Sequence, residues 1–476
     1  MFKEERMHQR LFTFDDQIIF SKLSGDNNPI HIDRIASRRY LLGQPVVHGI
    51  HALLWALDTW LIKCTHPIRI TSLKAHFPNP TYLEKEVSYR EVSNQNRKVE
   101  IELTSCDSKT AYIEASWDIP SHRRGDSPKN DYPTLRPPCI VPQDKICGHK
   151  GTLDLLLNTK TAGHLFPSLM KWASPVEIAT LLATTRLTGT QCPGLHSLYS
   201  EIALYADDNP RRTQLEYNVT SFDLRFHLAI IAVRGPFMTG NLKAFVRPIP
   251  KQQTDYSNII QLIHEGEFRD ERALIIGGSR GLGEVTAKLL NAGGAETRIT
   301  YYQGKEDAER VVNDIVANGG RTDFLHFNVL KPAQSIKTLI KNNWFPTHLY
   351  YFATPFIFSA KKRRFSSDLF KQFCAYYVTG FYETVDSLRA YGLQYAFYPS
   401  SKAIDDIPAN LGEYASAKMA GEMLCSFLGK YFPGLVLYKP RLPRLATDQT
   451  ASLSSVDNLD PVSVLLKELR SFKSTK

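Results

Sequence analysis

The sequence predicts two fold classes in one chain. The first is an α+β region in which one plan, a helix followed by antiparallel strands, occurs twice. The second is an α/β region with a doubly wound parallel sheet. Three observations lead there. A long apolar helix pattern, "QPVVHGIHALLWALDTWLIK" (44–63), precedes three strand-like runs. A similar string and similar strand-like runs recur about 145 positions later. From residue 272 on, apolar strands alternate with helices after a glycine-rich turn.

Two segments break the hydrophobic periodicity. "IPSHRRGDSPKNDYPTLRPPCIVPQD" (119–144) is rich in Pro, Arg and Asp, and "RPIPKQQTDYSN" (247–258) is similar in kind. They divide the 476 residues into domains expected at 1–120, 145–250 and 265–476. A hydrophobic fraction of 43% and a charged fraction of 22% are those of a folded globular protein. Residues 1–10 are charged and lack a signal-peptide core. The most apolar stretch is too short for a bilayer and is broken by Asp58, so no membrane span is expected.

Seven cysteines without paired metal spacing fit a reducing cytoplasm. Cys139, Cys147 and His149 lie close together but lack a fourth ligand, so no metal site is expected. The net charge of +10 suits a solvated basic surface or attraction for an anionic substrate carrier. No basic run is interleaved with aromatics, which speaks against nucleic acid.

In the first block, "LSGDNNPIHID" (23–33) places Asp26 and His31 five apart, with Gly25 and Pro29 preventing a simple helix. Such a turn either caps the next helix or brings a carboxylate and an imidazole to one point for proton transfer. The strand-like runs "IRITSLKAHF", "EVSYREVSNQNRKVEIELTS" and "TAYIEASWDI" follow. In the second block, "GTQCPGLHSLYSEIALY" is laid on "GQPVVHGIHALLWALDT", so that Gly49 meets Gly194 and His51 meets His196. That overlay leaves Asp26 and His31 without counterparts; the matching region offers Lys171, Pro175 and Glu177.

The third block opens with "GGSRGLG" (277–283) between a strand and a helix. Gly277, Gly281 and Gly283 let a diphosphate approach the backbone at a helix N-terminus, and Ser279, Arg280 and Leu282 complete the turn. No carboxylate ends the next strand, "RITYYQG", to hold a ribose 2′-hydroxyl. With Arg280 in the turn, a 2′-phosphate and hence NADPH is expected. Further on, Tyr414 and Lys418 share a helix face, with Ser401 thirteen residues before Tyr414. An ammonium near a phenol lowers its pKa, so Tyr414 can give a proton to a carbonyl oxygen as hydride arrives.

On these motifs, residues 270–450 resemble the short-chain dehydrogenase/reductases. The resemblance implies a Rossmann-type fold, Tyr414 as acid, Lys418 on the nicotinamide ribose and Ser401 at the substrate oxygen, with Ser400 second in line. It also implies Asn328 and Val329 at the adenine. The pattern departs from the family at Ile276, Asn328, "YFATP" (351–355) and Tyr377, which stands where the family's relay Asn is found.

Residues 10–118, with "SGDNNPIH" and "VVHGIH", resemble the MaoC-like, R-specific enoyl hydratases of the hot-dog fold. The resemblance implies Asp26 and His31 as the acid/base pair, Asn28 orienting the loop or the water, and Gly49 polarising the thioester carbonyl. His48 and His51 read as locally packed helix-start residues. The second block then completes a double hot dog with one degenerate repeat.

Together the two resemblances imply a bifunctional enzyme. It would reduce a 3-oxoacyl thioester and dehydrate the (R)-3-hydroxyacyl product, in fatty-acid or polyketide-like assembly. The acyl group would ride on an acyl carrier protein or coenzyme A, and the reductase part would form a homo-oligomer. One alternative keeps the dehydratase alone, with a nucleotide-binding or structural C-terminal part. Another makes the N-terminal part a non-catalytic acyl-binding module.

Overall fold

The computed structural model describes residues 8–120, 127–207, 212–359, 363–453 and 456–475. The chain divides between Ile249 and Pro250 into two compact units.

The N-terminal unit begins with β1 (His8–Leu11) and α1 (Phe14–Ser24). Thr13 and Asp16 cap α1 reciprocally in a capping box. Gly25 ends it at φ 79°, where its N–H returns to the Ser21 carbonyl at 2.8 Å. That left-handed residue turns the chain sharply, and Asp26 leaves from the turn. Asn28 then caps the short α2 (Pro29–Ile32), with Pro29 in its first position. The long helix α3 (Gly49–Leu61) is buried all round, as its apolar pattern requires. β2 (Arg69–His76), β3 (Glu86–Gln95), β4 (Lys98–Ser105) and β5 (Ser108–Asp118) follow.

The second half runs the same course: β6 (Lys150–Asp154), α4 (Thr159–Leu165), α5 (Pro167–Trp172), α6 (Pro175–Arg186), β7 (Ser197–Ala206), β8 (Gln214–Asp223), β9 (Leu228–Arg234) and β10 (Met238–Val246). All ten strands form one sheet in the order β1-β3-β4-β5-β2-β7-β10-β9-β8-β6. Each half is the mirror listing of the other, and the halves join where β2 and β7 pair antiparallel, Leu73 opposite Leu204. One hydrophobic core spans both, with Leu53 and Leu57 of α3 and Ile178 and Leu182 of α6 in it.

The overlay read from sequence needs correction. Residues 194–206 do not match the helix α3. They form a turn and then β7, in which Ile202 and Leu204 are buried with strand periodicity. The counterpart of α3 is α6, which Pro175 opens and Glu177 enters in its first turn. The true partner of "NPIH" is "FPSL", where Pro167 opens α5 as Pro29 opens α2.

The second unit starts with α7 (Tyr256–Ile260), followed by β11 (Arg272–Ile276), α8 (Gly281–Ala292), β12 (Glu296–Tyr301), α9 (Lys305–Ala317), β13 (Thr322–His326), α10 (Pro332–Lys341) and β14 (His348–Tyr351). Then come α11 (Ser367–Cys374), α12 (Gly380–Arg389), β15 (Tyr395–Phe397), β16 (Ser400–Ser401), α13 (Ala403–Asp406), α14 (Gly412–Tyr431), β17 (Val436–Tyr438), β18 (Arg441–Leu442) and α15 (Pro461–Lys473). Six strands form a wholly parallel sheet in the order β13-β12-β11-β14-β15-β17, the Rossmann order expected of a doubly wound fold. Separate clusters of apolar side chains build its core. Among the described residues, no helix is long and apolar enough to cross a membrane.

Candidate functional site

In the N-terminal unit the turn after α1 and the start of α3 converge. Asp26, His31 and His48 bring a carboxylate oxygen and two ring nitrogens within 4.8 Å of one another. Asp26 is 2% exposed. Its Oδ2 accepts the Thr185 hydroxyl at 2.6 Å, and its Oδ1 accepts the Asn28 N–H at 3.2 Å. Burial pushes the Asp26 pKa up, against the pull of His31 and the Thr185 bond.

His31 lies half-buried with Nδ1 2.8 Å from the Val46 carbonyl. A carbonyl can only accept, so Nδ1 carries the proton and Nε2 keeps its lone pair. Burial, then the neighbouring His48, push His31 down to about 3, so the ring is neutral at pH 7. His48 stacks on it at 3.7 Å between centroids. Its ring nitrogens face the Asp26 carbonyl at 3.0 Å and Gln17 Oε1 at 2.9 Å. Burial outweighs the bond to the Asp26 carbonyl and also takes His48 down to about 3.

The second half supplies part of this site. Thr185 comes from the last turn of α6, which continues as a wider π turn over Leu187–Gln191. Gly189 in that turn lies against the Asp26 carboxylate, and a Cβ there would collide with both carboxylate oxygens. The Asn28 amide donates to the carbonyls of Gly189 at 3.0 Å, Leu195 at 3.1 Å and Gly194 at 3.2 Å. Asn28 therefore fastens the motif loop to the second half, and its amide hydrogens point at protein carbonyls rather than at a substrate. Gly49 is the first residue of α3, where backbone N–H groups have no acceptor within the helix, and a Cβ there would press on the Phe77 ring at 3.3 Å.

Thr185 and Gly189 escaped the sequence reading because nothing in the string ties them to a motif some 160 residues earlier. His48, read as a packing residue, touches both members of the pair. The Asp26–His31–His48 trio also has metal-ligand chemistry, which attention to Cys139, Cys147 and His149 missed.

In the second unit, Gly277 (φ 75°) and Gly281 (φ 58°) form the turn from β11 into α8. A Cβ on Gly283 would strike the Gly277 carbonyl, so the helix approaches the strand closely. A Cβ on Gly281 would meet nothing nearer than Thr447 at 3.8 Å, which leaves an open cradle at the helix N-terminus. The Gly277 N–H bonds Thr300 Oγ1 at 3.0 Å, and Ser279 is buried beside it. Arg280 precedes the first turn of α8, and Leu282 packs on the core. These residues fit a diphosphate. Asn328 turns its side chain back onto the Leu330 N–H at 2.9 Å, and Val329 is buried next to it.

Tyr414 and Lys418 lie one turn apart on α14. Burial pushes the Tyr414 pKa up and the bond from Ser401 draws it back less strongly, so the net shift is upward rather than the lowering expected from Lys418. Ser400 points the other way, onto Glu422, which Arg441 clasps with two bonds at 2.7 and 2.8 Å. Alternation along β16 thus selects Ser401 over Ser400. Lys418 is 6% exposed, donates to the Pro399 carbonyl at 2.7 Å, and lies 4.1 Å from the Tyr377 ring centre. Burial pushes its pKa down to about 7. The Tyr377 hydroxyl meets Thr354 Oγ1, and its ring meets Tyr414 edge-on at 5.7 Å.

A 3-oxoacyl-[acyl-carrier-protein] reductase from Synechocystis sp. is 41% identical over 69 residues, 14% of this chain and 28% of that protein. The chain thus spans under a third of that relative's length. Solved structures with likeness to the chain include two proteins with NADP bound. One is a 3-oxoacyl (acyl-carrier-protein) reductase from Agrobacterium tumefaciens, 19% identical, covering 39% of this chain and 74% of that one, TM-score 0.35. The other is a short chain dehydrogenase from Burkholderia cenocepacia, 25% identical, covering 38% and 78%, TM-score 0.34. Residues 3–114, which hold Asp26, His31 and Gly49, match the family described as "MaoC like domain".

Proposed function

We propose that the chain is a bifunctional enzyme. Its N-terminal unit, a double hot dog with domains near 1–120 and 145–250, dehydrates an (R)-3-hydroxyacyl thioester to a 2-enoyl thioester and water, or runs the reverse. Its C-terminal unit, from about 265, reduces a 3-oxoacyl thioester to that 3-hydroxyacyl thioester. The observation that carries the reading is that each motif set closes into a buried proton-handling site: Asp26 with neutral His31, and Tyr414 with Ser401 and Lys418.

In the first site, His31 Nε2 takes the α-proton. Asp26, biased by burial toward its acid form, gives a proton to the departing hydroxyl. Proton transfer from His31 back to Asp26 then resets the pair. The Gly49 N–H polarises the thioester carbonyl at the start of α3.

In the second site, Gly277, Ser279, Arg280, Gly281, Leu282 and Gly283 hold the phosphates of NADPH, with Asn328 and Val329 at the adenine end. The bound nicotinamide supplies hydride to the 3-carbon. Tyr414 protonates the oxygen, Ser401 orients it, and Lys418 holds the ribose. Two features support NADPH over NADH: Arg280, and the absence of a carboxylate among residues 301–304.

Support for a homo-oligomer comes from α14. Met419, Met423, Phe427 and Tyr431, four apart along one face, are 45–69% exposed. Seven free cysteines are in keeping with a cytoplasmic setting.

The test is mass spectrometry of products from the full chain given NADPH and a 3-oxoacyl thioester, on coenzyme A and on acyl carrier protein. A 2-enoyl product, lost on Asp26→Asn in favour of accumulated 3-hydroxyacyl thioester, and no product at all on Tyr414→Phe, is the expected pattern. Ketone reduction that persists in Tyr414→Phe defeats the reductase assignment. NADPH binding without oxidation would favour a structural C-terminal unit.

A further inference from the structure

Arg247 stands at the end of β10, in the segment that reads from sequence as a linker. Its surroundings are unusual for a cation. It is 1% exposed, yet among the described residues it makes no ion pair. One terminal nitrogen donates to the Leu195 carbonyl, and Tyr40 meets the guanidinium both through a side-chain hydrogen bond and with its ring, whose centre lies 3.6 Å away. Nε and Nη1 have no partner. Beside it, His196 gives its carbonyl to the Arg247 N–H at 2.8 Å and leaves its own buried Nδ1 without a partner.

A guanidinium keeps its charge at any pH a protein survives, so it cannot escape burial by losing a proton. Buried charges are tolerated when paired, and Arg prefers a carboxylate or phosphate. The protein provides half of such an arrangement.

The place of this half-filled pair gives it meaning. The Leu195 carbonyl that accepts from Arg247 also accepts from Asn28 of the motif loop. Tyr40, under the guanidinium, packs in a small cluster with Ile30 and Val46. Ile30 is next to His31, and the Val46 carbonyl holds the His31 ring. The charge of Arg247 is felt at both His31 and His196. Arg247 therefore lies beside the Asp26/His31 site within one unit, joined to it through Leu195 and Tyr40.

We infer that Arg247 and His196 form an anion subsite of this acyl site, and that it receives a carboxylate carried by the acyl group itself. The substrate class is then the mono-thioester of a dicarboxylic acid rather than a plain fatty acyl thioester. A phosphate of the carrier is the less suitable source, because Arg247 is buried beside the acid/base pair rather than at the surface. The inference rests on reading this site as an acyl-thioester site.

Calorimetric titration of the full chain with succinyl-, glutaryl- and adipoyl-coenzyme A tests it, each against butyryl-, pentanoyl- or hexanoyl-coenzyme A of matching length. The carrier is common to every pair, so its phosphates cancel. At one length or more, the acidic thioester should bind about tenfold tighter or better, the scale of one charge-assisted hydrogen bond. Arg247→Met should bring that ratio to about one, and Arg247→Lys should restore part of it. Equal affinity at every length in the unaltered chain, no binding included, overturns the inference, as does a preference that survives Arg247→Met. Hydration of 2-enoyl-coenzyme A, and its loss in Asp26→Asn, reports separately on the acyl-site reading. A carboxylate preference without hydration sinks that reading alone. Hydration without a preference sinks this inference alone.

Discussion

Thr185→Val is the substitution that isolates the second half's contribution to the proposed dehydratase site. Valine keeps the shape of threonine and removes only the hydroxyl. That hydroxyl donates to Asp26 Oδ2 at 2.6 Å, and Thr185 is 3% exposed, so water has little room to replace it. A hydrogen bond to a charged group contributes about 1.5–3 kcal/mol. If the bond serves the carboxylate through the cycle, its loss costs roughly ten- to a hundredfold in kcat for 2-enoyl-thioester hydration. The sign for pH follows. The bond lowers the Asp26 pKa, so without it the pKa rises further, and the rate limb governed by Asp26 ionisation moves to higher pH. The assay is the pH profile of kcat and kcat/KM for hydration, with Thr185→Ser expected to restore both. A profile that keeps its shape and position in Thr185→Val would refute the reasoning, because loss of packing alone does not move a titration limb.

Gly189→Ala presses a methyl group onto the Asp26 carboxylate. Overpacking of this kind costs about 1–3 kcal/mol, read as a lower denaturation midpoint, and hydration should fall below detection while ketone reduction persists. Gly281→Val forces a β-branched residue to φ 58° in the phosphate cradle. NADPH affinity, followed by nucleotide fluorescence, should weaken by at least about tenfold. Lys418 has a folded-state pKa of about 7 against the ordinary 10.5, so the unfolded chain binds more protons between those values. The C-terminal unit should gain stability as pH rises from 7 toward 10.5. Lys418→Met should flatten that slope in denaturation curves taken at steps of pH, and an unchanged slope would mean another group is responsible.

Much of this was legible in the string because some residues can serve only a few purposes. Gly25, Asn28 and Pro29 specify a helix stop, a cap and a helix start within five positions, and the structure uses each that way. The glycine turn at 277–283 and the spacing of Tyr414 and Lys418 are similarly restrictive. The second repeat was harder. Its helix α6 is composed of "PVEIATLLATTR", buried from Val176 to Arg186 but more than half made of Thr, Ala and charged residues, so its pattern does not read as a core helix. The match of "GLH" to "GIH" filled the gap with a strand. The ties from Asn28 to Gly189, and from Thr185 to Asp26, were out of reach for a different reason. They join positions that only the antiparallel junction of β2 with β7 brings together.

That junction has a practical consequence for anyone who would dissect the chain. A fragment cut where the MaoC-like match ends, at residue 114, would retain every residue by which the likeness is drawn. It would also sever β5 before its end and expose β2 as a bare eight-residue edge, with Leu73 and Ala75 stripped of their neighbours across the seam. Such an edge recruits another strand. The excised piece should therefore pair with its own copies, and a purified truncation that runs as a dimer or a precipitate would report on the cut rather than on the native assembly.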